Sequence, residues 1–199
     1  MPASVTSSDV AIPPLGLAGT LNVPKSALGL IVFAHGSGSS HLSPRNTAVA
    51  KALNGRGFAT LLFDLLTPEE EADRANVFDI ALLAERLVEV VQWLGHQGEL
   101  LGRLPIGLFG ASTGAAAALV AAARIPDRVD AVVSRGGRPD LAGDALPLVR
   151  APTLLIVGGA DNGVIELNRE ALAQLQAPKA IQIVPGATHL FPERGAMDA

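Results

Sequence analysis

The stretch from Leu104 to Ile125, LPIGLFGASTGAAAALVAAARI, constrains this chain more than any other. Ile106, Leu108 and Phe109, set among small residues, predict a short buried strand. The alanine-rich end predicts a helix, since alanine is the strongest helix former. Between them lies Gly110-Ala111-Ser112-Thr113-Gly114, so a strand has to turn into a helix with Ser112 at the apex. A backbone bent that sharply is strained, and the residues two before and two after the serine must be small for strand and helix to close on each other. Gly110 and Gly114 meet that demand, and Ala115, Ala116 and Ala117 keep the first helical turn slim. The helix start also aims free N–H groups and the positive end of its dipole at whatever forms on Ser112. The plainer reading is a glycine-rich turn whose serine merely caps the helix.

The rest of the chain reads as alternating strands and helices. Two short strands fall within residues 8–24, on either side of Pro13-Pro14. Leu28 to Ala34 (LGLIVFA) is a continuous apolar run, the mark of a strand buried on both faces. It ends in His35-Gly36-Ser37-Gly38-Ser39-Ser40, too rich in glycine and serine for regular structure. Ser43-Pro44 starts a helix that Gly55 and Gly57 stop. A strand from Phe58 to Phe63 closes on Asp64, and residues 67–74 make an acidic loop. Val77, Ile80, Ala84, Leu87, Val91 and Leu94 then form one apolar stripe, predicting the longest helix. Further strands are expected at 129–133, 153–157 and 180–184, with a helix at 164–175. Strands separated by helices imply βαβ units and a parallel sheet. With no repeat or linker in sight, residues 1–199 are expected to form a single domain, long enough to bury roughly 70% of the unfolded surface.

Composition narrows the function. Apolar residues make up 49% and charged ones 17%, which excludes a disordered chain. A net charge of −4 without a basic cluster makes nucleic acid and anionic membranes poor partners. There is no cysteine, hence no thiol nucleophile, disulfide or cysteine zinc site. The opening MPASVTSSDVAIPP has neither a basic nor an apolar leader region, and no apolar run approaches a bilayer span, so a cytoplasmic protein is expected.

In an open parallel sheet, reactive groups collect at the carboxyl ends of the strands. Ser112 needs a base there, because a hydroxyl is a weak nucleophile at neutral pH. Of the four histidines, His96 lies towards the end of a surface helix and His41 sits in a polar loop with nothing to fix it. His35 has the task of holding its own loop in shape, whereas His189 follows the last strand through a Pro-Gly turn and can reach Ser112. Asp161, after Gly158-Gly159-Ala160, is the candidate for orienting that imidazole, with Asp140 and Asp144 as competing acids. Capping the next helix is the alternative use for Asp161, and a purely structural role that for His189. The order serine, aspartate, histidine is that of one known hydrolytic triad. The backbone N–H of Thr113 and that of Ser37 are the expected oxyanion donors. HGSGSS lacks the lysine and spacing of a phosphate-binding loop and is not read as one. Arg135 and Arg138 can fork onto a substrate carboxylate or bridge Asp140, Asp144 or the acidic loop.

Taken together, FAHGSGSSHLSPRN, LLFDLLTPEEE, GLFGASTGAAAAL, SRGGRPDLAG, LLIVGGADNGVIELN and PGATHLF resemble the small dienelactone-hydrolase-like α/β-hydrolases, some of which are fused to a phosphoribosyltransferase domain. The resemblance covers nearly the whole chain. It implies an α/β-hydrolase fold, a mostly parallel twisted sheet flanked by helices, and a carboxylic-ester hydrolase with Ser112 as nucleophile, His189 as base and Asp161 as orienting acid. No metal or cofactor enters such chemistry. No insertion is long enough for a cap domain, which suits small, short-acyl esters. The sequence departs from the family in two ways. Dienelactone hydrolases use a cysteine, and serine here shifts the expectation towards general esters. The chain also stops soon after His189, where such folds carry a closing helix; Gly195 to Ala199 supply only its first turn, leaving a flank for a partner or for a homo-oligomer to cover. Lactone hydrolysis, or an idle hydrolase fold used as a binding module, are the other readings.

Overall fold

The computed structural model describes residues 4–193 and 195. The helix expected to open at the C-terminus lies, apart from Gly195, outside the described residues. Strands β1 (Val5–Ile12) and β2 (Leu17–Pro24) form an antiparallel hairpin. There follow β3 (Leu30–Ala34), α1 (Pro44–Gly55), β4 (Ala59–Phe63), the short α2 (Pro68–Glu71) and α3 (Arg74–Phe78), α4 (Ile80–Leu94) and α5 (Gly98–Gly102). The second half comprises β5 (Ile106–Ala111), α6 (Thr113–Arg124), β6 (Ala131–Arg135), a 3-10 segment (Pro139–Leu148), β7 (Thr153–Gly158), α7 (Asn162–Gln174) and β8 (Lys179–Val184). All strands join one 8-stranded sheet in the order β1-β2-β4-β3-β5-β6-β7-β8, parallel from β4 to β8. This is the α/β-hydrolase architecture that the resemblance implied.

Period-two alternation sends the strand side chains to two cores. Leu30, Val32 and Ala34 of β3 join the large core with α4, α6 and Ala171 of α7. Phe33 points the other way, onto Leu62, Phe109 and Ala50 of α1, with its ring centroid 4.9 Å from that of Phe109. The chain leaves β3 for β4 on one side and returns to β5 on the other. Strand order reverses there, opening a crevice beyond the carboxyl ends of β3 and β5. The loops at His35 and Ser112 emerge at that crevice.

Several boundaries differ from expectation for local reasons. The apolar stripe from Val77 to Leu94 is broken at Asp79, whose Oδ1 accepts the Leu82 N–H at 3.0 Å and so starts α4 afresh. A short polar side chain competes with the helix for backbone groups and wins as a cap. The acidic loop contains α2, closed by a capping box in which Thr67 and Glu70 each bond the other's backbone N–H. Strand β6 runs two residues later than expected, to Arg135, because pairing with β5 is made by backbone and polar Ser134 and Arg135 do not interrupt it. Residues 139–148 form a 3-10 segment that packs on α6 and α7 and buries Leu146 completely. No helix among the described residues is long and apolar enough to cross a membrane.

Candidate active site

Ser112 sits between β5 and α6 with φ 51° and ψ −124°, a left-handed conformation for a non-glycine residue. Such backbone costs about 1–3 kcal/mol and persists only where the surroundings over-determine it. They do so here. The Ser112 carbonyl accepts the N–H groups of Ala115 (3.1 Å) and Arg138 (3.0 Å), and Gly36 lies so close that a Cβ there would come within 2.8 Å of Ser112 Cβ. The Ser112 side chain makes no capping bond to α6, so its hydroxyl is not spent on the helix.

Asp161 stands at the N-cap position of α7, yet its carboxylate makes no capping bond either. It accepts instead from His189 Nδ1–H at 2.8 Å, joining residues 28 apart in sequence. Glycine makes the approach possible, for a Cβ on Gly158 would run into the carbonyls of Ala187 and Thr188. With Nδ1 engaged, Nε2 is the ring nitrogen left to act as base, and His189 and Ser112 line the same cleft of about 230 Å³. Asp140, a competing acid, is held in a bidentate fork by Arg138 (2.9 and 2.7 Å), and Asp144 is exposed. The Ser37 N–H donates to Thr113 Oγ1 at 3.2 Å, which brings it beside the Thr113 N–H. As the first residue of α6, Thr113 has no intrahelical acceptor for that N–H.

A model of the α/β-hydrolase fold matches residues 29–151, more than half of the chain. The chain belongs to the α/β-hydrolase family. The chain is 53% identical to the crystal structure of a dienelactone hydrolase from Anabaena variabilis, with a TM-score of 0.92 over 100% of this chain and 93% of that one, so it is a dienelactone-hydrolase-like member of that family. It is also 62% identical over 185 residues to Mycobacterium tuberculosis proteins named, provisionally, as phosphoribosyl transferases. The match takes in 93% of this chain but 42% of theirs, so the chain spans less than half the length of those curated relatives. Est1E from Butyrivibrio proteoclasticus shares the fold at 18% identity, TM-score 0.77, over 94% of this chain and 91% of that one.

The chain has a second His–Asp pair away from the Ser112 cleft. His41, for which the sequence offered no anchor, is tied by its backbone N–H (2.7 Å) and its Nδ1 (2.8 Å) to the carboxylate of Asp64. This pins the far end of the loop that carries Ser37. His35 pins the near end, donating from Nδ1 to the Gly36 carbonyl (3.0 Å) and accepting the Leu65 N–H at Nε2 (3.2 Å). The second of these bonds requires the neutral ring. Burial accordingly pushes the His35 pKa below its ordinary 6.5, only partly offset by the Gly36 hydrogen bond and the charges of Asp64 and Glu71.

Stability should therefore depend on acid through this ring. Below 6.5 the unfolded chain takes up a proton at residue 35 that the folded state refuses until lower pH. The contribution is fully present above that value and falls as the pH drops. Urea unfolding at about pH 7 and about pH 5 should show a steeper loss for wild type than for His35→Asn. Equal losses would remove His35 as the cause.

Of the arginines, Arg138 does not line the cleft, being spent on Asp140. Arg135 does line it, with Nη2 donating to Asn46 Oδ1 (3.1 Å) and the guanidinium 5.6 Å from the centre of the Phe109 ring. Arg45 and Asn46, in the first turn of α1, line it too and escaped the sequence reading. Their signal was position: the Ser43-Pro44 helix start follows directly on the HGSGSS loop, so the first turn had to lie near the site.

Proposed function

We propose that this hydrolase is a serine carboxylesterase that cleaves small, short-acyl esters through an acyl-enzyme. The observation that supports it is the Asp161 carboxylate, which leaves its own helix uncapped and engages His189 on the rim of the cleft that also holds Ser112. The chain has no cysteine, so the nucleophile falls to the serine at the strained apex. In this mechanism Ser112 Oγ attacks the ester carbonyl as His189 Nε2 takes its proton. The N–H groups of Thr113 and Ser37 receive the oxyanion, the latter released from Thr113 Oγ1. The tetrahedral adduct then collapses, the C–O bond to the alcohol breaks, and His189 returns the proton to the leaving oxygen. Water, deprotonated by His189, attacks the acyl-enzyme in the same way and frees the acid. Asp161 holds the imidazole tautomer and stabilises the imidazolium; it stays ionised throughout.

Labelling by a serine-directed phosphonate, followed by peptide mass analysis, should find one adduct, on Ser112. Absence of labelling would leave a hydrolase fold used for binding alone. A second reading, lactone hydrolysis, is favoured by the name of the Anabaena variabilis protein, dienelactone hydrolase. Faster turnover of a cyclic enol-lactone than of p-nitrophenyl acetate would decide for it.

A further inference from the structure

A smaller cavity, of about 50 Å³, lies beside the cleft that holds Ser112, and the mechanism above makes no use of it. Gly36 and Ser37 line both, and Thr113 lines the smaller one, so the two expected oxyanion donors stand where the cavities meet. Gly36 keeps that passage clear: a Cβ built there would lie 3.5 Å from Ser112 Oγ, in space that glycine leaves free. The far wall is apolar, made by Leu65 and Leu66 after β4, Val77 of α3 and Leu83 of α4. The three leucines are buried and fixed in the large core. Two polar side chains of the wall are already spent. The ring nitrogens of His35 bond the backbone of Gly36 and Leu65, and both carboxylate oxygens of Asp64 bond His41. What the cavity offers a ligand is therefore apolar contact next to the nucleophile.

An ester has two sides, and proton transfer tells them apart. The leaving oxygen takes its proton from His189, so the alcohol lies on the His189 side, in the cleft of about 230 Å³. With the carbonyl carbon at Ser112 Oγ and its oxygen at the Ser37 and Thr113 N–H groups, the acyl chain is left the space over Gly36. We propose that the smaller cavity is the acyl pocket, so that the esterase selects acetyl to butyryl groups and tolerates a wide range of alcohols. The inference rests on the esterase reading and adds its substrate class. One water needs about 10–15 Å³ of such space, so about 50 Å³ admits roughly three or four groups of that size. A methyl group is slightly larger than water, which limits the chain to about three carbons beyond the carbonyl. Val77 sets this limit. It lines both the small cavity and an open groove of about 370 Å³ that Arg74 and Phe78 also line, so it stands in the wall between them.

The acetate, butyrate and hexanoate of p-nitrophenol test this with the leaving group held constant. In the wild type kcat/KM should hold from acetate to butyrate and drop about 10-fold or more at hexanoate, whose last methylenes find no room. Val77→Ala opens the wall and should raise the hexanoate-to-acetate ratio about 10-fold, whereas Val77→Phe should lower the butyrate-to-acetate ratio by about as much. Ratios taken within one protein cancel any general loss from a perturbed fold, and the wild-type profile needs no variant. Phenyl and naphthyl acetate, whose leaving groups are of similar acidity, should turn over at similar rates, because the alcohol side is the roomy one. Wild-type turnover of hexanoate equal to that of butyrate, chain-length ratios unchanged in both Val77 variants, or a rate that falls as steeply with the bulk of the alcohol as with acyl length would overturn the pocket and leave the esterase intact. No turnover of any of these esters would overturn both.

Discussion

Ser112→Ala should lower kcat for p-nitrophenyl acetate by ~10⁴–10⁶-fold with no change in far-UV circular dichroism, by analogy with triad serines of other hydrolases. The magnitude follows from how the three groups act. Without Oγ there is no acyl-enzyme, and the imidazole held by Asp161 has nothing to activate except water. What remains is the rate supplied by binding and by the oxyanion donors alone. The fold should not notice. Alanine keeps the Cβ, and the Ser112 hydroxyl makes no capping bond to α6. The stability change should stay within about 0.5 kcal/mol. Ser112→Gly separates the two roles of this residue. It also removes the nucleophile, but at φ 51° glycine relieves the strain that serine bears, so this variant should unfold at higher denaturant than wild type by up to about 1 kcal/mol. Activity of either variant within 10-fold of wild type would end the case for Ser112 as nucleophile.

Gly114→Ala should cost the protein its fold rather than its chemistry, by at least about 3 kcal/mol, the upper end of ordinary overpacking. A Cβ at residue 114 would drive into the carbonyl oxygens of Ala34 and His35, the latter 2.5 Å away. These atoms belong to the end of β3 and to the start of the loop that both histidine bonds stiffen, so neither can give way cheaply. Gly110 faces the same constraint from the other side, with the Gly114 carbonyl 2.6 Å from a Cβ built there. The control is Gly163→Ala in α7. Nothing lies within 4 Å of a Cβ at that position, and in a helix alanine is favoured over glycine by up to about 1 kcal/mol. Urea midpoints of the two variants should therefore move in opposite directions. Comparable stability of Gly114→Ala and wild type would show that helix and strand are less tightly closed than the elbow requires.

The sheet and its helices were legible because their signals are local. Period-two and 3.6-residue hydrophobic patterns follow from backbone geometry, and so do Ser43-Pro44 at the start of α1 and the glycines flanking Ser112. The misreadings were local as well. Asp79 as a cap depends on a short-range bond that the apolar stripe from Val77 to Leu94 does not reveal, and the late end of β6 on backbone pairing that polar Ser134 and Arg135 conceal.

Which residues offer the hydroxyl, the imidazole and the carboxylate of the proposed triad was legible in the sequence itself, through the elbow and the chain order of Ser112, Asp161 and His189. Tertiary structure alone decided how the polar side chains are shared out. Asp161 goes to His189 and not to its helix, Asp140 is taken by Arg138, and Asp64 anchors His41. It alone brought Arg45 to the same cleft as Arg135. The reason is range: a hydrophobic pattern is satisfied within one element, whereas a charged or hydrogen-bonding group goes to whichever partner the packed chain delivers within about 3 Å, and sequence separation carries no record of that distance.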